Sequence, residues 1–89
     1  MPGILERFNL DIKDNNLKTC RIFGSSKYNW IIHHNNENGA LLAIYINSVL
    51  KDMIGAKRED WEFSDWDTAE KKLDQIEEYL VKVLEDFTK

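Results

Sequence analysis

Leu17-Lys18-Thr19-Cys20-Arg21-Ile22-Phe23, Gly24-Ser25-Ser26-Lys27 and Tyr28-Asn29-Trp30-Ile31-Ile32-His33-His34 follow one another in the stretch on which the fold class turns. The two outer arms are rich in aromatic and β-branched residues, which suit a pleated, half-buried surface, and the Gly-Ser linker suits a turn. Asp14-Asn15-Asn16 just upstream supplies further turn chemistry, because short Asx side chains bond their own backbone. The stretch therefore predicts an antiparallel β-hairpin. Alternation along its second arm puts Tyr28, Trp30 and Ile32 on the expected core face and Asn29, Ile31 and His33 on the other.

Upstream, Ile4, Leu5, Phe8 and Ile12 recur at spacings of 3 and 4 and predict one or two helical turns. Downstream, Asn35 to Gly39 closes the hairpin, and Ala40 to Ile54 admits two readings. Ile44-Tyr45-Ile46 after Asn38-Gly39 would suit a third strand of a meander, with a short helix from Asn47 onward. A single helix is favoured, because Leu42, Ile46, Val49, Leu50, Met53 and Ile54 form one stripe. Asn38 stands where an N-cap is wanted, and Gly55 where a left-handed C-terminal residue is wanted. Ala56 to Asp65 carries no stripe of its own and reads as a connector pinned by Trp61 and Phe63.

The last element is the plainest. Trp66, Ala69, Leu73, Ile76, Leu80, Val83 and Phe87 alternate 3 and 4 apart, while Thr68, Lys71, Gln75, Glu78, Lys82, Glu85 and Lys89 opposite them are all polar. A helix from about 65 to 87 follows, capped by Ser64 with Asp67 or by Asp67 with Glu70. The expected architecture is α+β. It is a small single compact domain over residues 1–89, with the hairpin or short meander packed against two helices, the C-terminal one long and amphipathic.

Composition narrows the function class. Eighty-nine residues have room for one hydrophobic core, and 43% hydrophobic with 31% charged residues suits a folded chain better than a membrane span or a disordered one. The lone Cys20 has no internal disulfide partner, and no basic segment at the start precedes an apolar run. The longest apolar run, Ala40 to Ile46, falls far short of the roughly 20 residues that cross a bilayer. A cytoplasmic protein without membrane attachment is expected.

The formal charge is −4, unevenly divided, with +3 over residues 1–58 and −7 over residues 59–89. That sign argues against direct nucleic-acid binding and for a partner with a basic or neutral surface. On the C-terminal helix Asp67, Glu70, Asp74 and Glu77 are spaced 3, 4 and 3, so they line one side beside the apolar seam. Glu59, Asp60 and Glu62 precede them, with Trp61 among them, an aromatic of the kind that dominates interface hot spots. Such a stripe can enter a Lys/Arg groove that normally holds phosphates, although a solvated helix face has the same spacing. Of Trp61, Phe63 and Trp66, two are expected in core or staple positions and one exposed.

Other constellations carry less. His33 and His34 point to opposite faces of a strand, Cys20 has no visible base, and Ser25-Ser26 lacks the glycines of a nucleophile elbow. No catalytic residue, metal site or cofactor is expected. The sequence reads first as a non-enzymatic acidic protein-binding module. By analogy of size and charge it would be an inhibitor of the immunity-protein, antitoxin or phage anti-defence kind, acting on a protein with a basic surface, such as a nucleic-acid-handling enzyme. The alternative is a structural or adaptor protein that forms a homodimer through the C-terminal helix seam.

Overall fold

Residues 17–34 form no strand. In the computed structural model, which describes residues 2–88, the described chain consists of α-helices and short 3₁₀ turns, so the α+β expectation, hairpin and meander alike, is overturned. The first arm winds into two 3₁₀ turns, Asn16–Thr19 and Arg21–Phe23, and the second into helix α2 (Trp30–His34), numbered after helix α1 (Pro2–Arg7).

The burial pattern shows why. Leu17, Cys20 and Phe23 are buried and spaced by three, and a 3₁₀ turn brings residues i and i+3 over one another. In the second arm Tyr28, Ile31, Ile32 and Asn35 turn inward at helical spacing. Two positions of the strand register exchange as a result, while Tyr28 and Ile32 stay inward: Ile31, expected outside, has 0% of its surface exposed, and Trp30, expected inside, has 46%. A two-stranded ribbon is marginal in water by itself, whereas helical turns close their backbone bonds locally and still lay their apolar side chains on a neighbour.

That neighbour is helix α3 (Asn38–Ile54), which packs against α2, the Asn16–Thr19 turn and helix α4 (Phe63–Phe87). The favoured helix over 40–54 is present, and the rival third strand is not. Its buried face is Leu41, Leu42, Tyr45, Ile46 and Leu50, rotated from the expected stripe so that Met53 lies outside. Tyr45 is the aromatic centre, edge-on to Phe23 at 5.9 Å and to Tyr28 at 5.2 Å between ring centroids. α4 meets this face with Ala69, Ile76, Leu80, Val83 and Leu84. Leu80 and Val83 are thus consumed inside the core and are not open to a second copy.

The start of α3 is a clamp. Asn38 is not the N-cap; Glu37 is, and the Asn38 side chain is fully buried in tertiary bonds. Its Nδ2 donates to the Asp11 carbonyl at 2.9 Å and to Asn16 Oδ1 at 2.7 Å. Its Oδ1 accepts the Leu17 N–H at 2.9 Å. Gly39 donates its N–H to the Ile12 carbonyl at 3.0 Å, and a Cβ there would stand 2.6 Å from Ile12 Cγ2, so the 11–17 loop lies directly on the helix start. The far end of α3 stops as expected, at Gly55 with φ 82°, a left-handed conformation that costs glycine nothing.

α4 begins earlier than its seam suggests, and neither Ser64 nor Asp67 caps it. Glu62 occupies the N-cap position and donates its N–H to the Asp65 carboxylate at 3.0 Å, with the Asp65 N–H returning to the Glu62 carbonyl at 3.0 Å. An acid in the first turn also suits the positive end of the helix dipole. None of the described helices is long and apolar enough to cross a membrane.

Candidate functional site

The junction of α3 and α4 builds a concave surface. After Gly55 reverses the chain, the Ala56 carbonyl accepts the Trp61 indole N–H at 3.0 Å. The 3₁₀ turn Arg58–Asp60 carries the backbone across to the start of α4. Trp61 and Trp66 meet edge to face, 4.8 Å between centroids and 77° between planes. Arg58 stands over both rings, its guanidinium carbon 5.6 Å from the Trp61 centroid and 6.0 Å from that of Trp66, while its Nη2 donates to Asn47 Oδ1 at 2.6 Å. Cation–π contact and a neutral hydrogen bond hold this guanidinium without a carboxylate partner within 4 Å among the described residues.

Beside these rings lies a groove of about 430 Å³ with Leu50, Ala69 and Leu73 among its apolar lining and Trp61, Phe63 and Trp66 around it. Asp67 and Glu70 border it as well. Phe63 is 93% exposed and Trp66 51%, so two of the three neighbouring aromatics stand in water and Trp61 is the partly buried one. This reverses the expectation that two of the three would be core. Phe63 is the first residue of α4 and stands almost wholly in water, whereas Trp61 is held by the bond of its indole to the Ala56 carbonyl.

The eight expected partner-binding residues divide. Trp61, Asp67 and Glu70 meet at the groove. Asp74 is exposed one turn beyond, outside the groove lining, and half-buried Glu77 borders a different hollow, with Gly3, Ile4 and Arg7. Glu59 and Asp60 are exposed in the 3₁₀ turn, and Glu62 is exposed at the start of α4. Among the described residues only Asp67 of these has an internal cation, Lys71 at 3.5 Å one turn along, an exposed pair of the sort worth about 0.3–0.5 kcal/mol. Among the described residues no Lys or Arg comes within 4 Å of Glu70, Asp74 or Glu77. The stripe therefore keeps most of its outward negative potential.

Sequence reasoning missed Arg58 and the groove floor. The Arg58–Asn47 pairing joins residues on different elements, and Leu50 and Leu73 look in sequence like ordinary seam positions.

Elsewhere the chemistry is quiet. Cys20 is buried, and burial pushes its thiol upward, away from a reactive thiolate at neutral pH. His33 and His34 are exposed at the end of α2, and among the described residues no three His, Cys, Asp or Glu side chains converge as a metal site would require. The groove presents aromatic faces, aliphatic floor and carboxylate rim, the ingredients of a contact surface. Comparison with protein-family models, curated proteins and solved structures finds no match.

Proposed function

We propose that this protein is a non-enzymatic, cytoplasmic binding module that docks the acidic start of α4 on a basic protein surface. An inhibitor of the immunity, antitoxin or anti-defence type fits that size and charge. The observation that carries it is the exposure of Phe63 and Trp66 beside Asp67 and Glu70. Burying a side chain such as Phe is worth about 1.5–3 kcal/mol, and the monomer forgoes most of that at Phe63. Aromatics of this kind, once covered, supply the anchoring energy of interfaces, while a charged rim sets the sign and speed of approach. The buried lone Cys20 is consistent with a reducing compartment.

The test compares wild type with a variant carrying Asp67→Asn, Glu70→Gln, Asp74→Asn and Glu77→Gln, each immobilised and exposed to host extract at low and high salt. The wild type is expected to retain a basic protein that salt releases, and the variant, with an unchanged far-UV spectrum, to lose it. Equal retention of that protein by both would overturn the docking mode.

A further inference from the structure

A cationic hollow lies on the other side of the same aromatic ridge. Asn47 and Lys51, one turn apart on α3, border a hollow of about 260 Å³ together with Lys57, Arg58 and Trp61. Among the described residues no carboxylate comes within 4 Å of Lys51, Lys57 or Arg58, although the chain as a whole is acidic. Arg58 and Trp61 line both this hollow and the apolar groove, so they form the ridge that divides them. Across it the surface runs from lysines, over the Arg58-capped tryptophans, through an apolar trough, to Asp67 and Glu70.

A surface with opposite charges on its two flanks and apolar side chains between them is its own complement. Rotation by a half-turn about an axis running along the apolar trough lays trough on trough and the cationic flank of one copy on the anionic flank of the other, twice. We infer that this face joins two copies of the chain in an isologous dimer, with Phe63 of each copy seated in the apolar groove of the other. Phe63 is suited to that place because it is 93% exposed, at the groove's edge, and held on the first turn of a long helix. The contact is distinct from the α4 seam, whose Leu80 and Val83 are already buried. The inference does not depend on the proposed basic partner, which would compete for the same groove.

Sedimentation equilibrium on the purified chain tests it with no other protein present. Wild type should show a reversible monomer–dimer equilibrium. Lys51→Glu with Lys57→Glu, and separately Asp67→Lys with Glu70→Lys, should each weaken the dimer at least about tenfold by placing like charges face to face. Mixing the two variants should restore association, because both flanks of the mixed dimer are again matched. Phe63→Ser should also dissociate the dimer while matching the melting temperature of wild type at protein concentrations low enough for both to be monomeric. A wild type that stays monomeric to high concentration overturns the inference. So does a dimer indifferent to Phe63, or one that the mixed variants fail to restore.

Discussion

The side-chain oxygen of Asn38 accepts the backbone N–H of Leu17 at 2.9 Å, with both residues fully shielded from water. Around that bond the same amide donates to the Asp11 carbonyl and to Asn16, so one side chain ties the 11–17 loop to the first turn of α3. Among the described residues no buried side-chain nitrogen or oxygen is left without a hydrogen-bond partner, and Asn38 is the one buried polar side chain of the core.

Asn38→Leu strands the Leu17 N–H and the Asp11 carbonyl, and a buried polar group left unpaired costs about 1–3 kcal/mol. A loss of about 3 kcal/mol is expected, a large share of the roughly 4–13 kcal/mol available to a chain of this length. Asn38→Asp should cost at least as much, because it keeps an acceptor for Leu17 but sets a buried carboxylate against the Asp11 carbonyl and Asn16 Oδ1, both acceptors, in place of two donors. Urea unfolding reads the order; a leucine variant within about 0.5 kcal/mol of wild type would mean that the loop is held by other contacts.

The cap of α4 separates two residues that look interchangeable in the sequence. Asp65→Ala removes the acceptor of the Glu62 N–H and should cost about 1 kcal/mol, whereas Ser64→Ala should change stability by less than about 0.5 kcal/mol. Thermal melts of the two variants decide it. Equal losses, or a larger one at Ser64, would place the cap where periodicity alone puts it.

Two tyrosines tie stability to alkaline pH. Burial first, and then the hydrogen bond of its hydroxyl to Asp52 at 3.0 Å, push Tyr28 up to about 12. Burial likewise pushes Tyr45 up to about 12. An unfolded tyrosine releases its proton near pH 10, so between about 10 and 12 the folded chain holds protons that the unfolded chain has lost. Their contribution is whole below pH 10 and declines as pH rises through that window. Urea midpoints at successive alkaline pH values should fall more steeply for wild type than for Tyr28→Phe/Tyr45→Phe, which keeps the rings and removes the phenols. Parallel declines would show that the two hydroxyls do not couple to folding.

The C-terminal helix is legible from its residues because three heptads of one pattern leave a single way to hide the apolar side, and Ile76, Leu80 and Val83 hide as that pattern requires. Gly55 was equally readable, since left-handed backbone after a helix favours that residue above others. Residues 17–34 were not. Leu17, Cys20 and Phe23 at a spacing of three, and Tyr28 to His34 with its β-branched pair, satisfy a strand composition as well as a helical turn over such short lengths.

Of the docking surface, the acidic face of α4 could be drawn from spacing alone, because residues 3 and 4 apart in a helix must share a side. Which of its carboxylates border a groove, and that Phe63 stands in water while Trp61 is pinned to Ala56, depended on where the chain after Gly55 comes to rest. Periodicity constrains a residue's neighbours along its own element. Burial, caps such as Asp65 and clamps such as Asn38 depend on what arrives opposite, and that is settled when α3 acquires a loop on its first turn and α4 along its face.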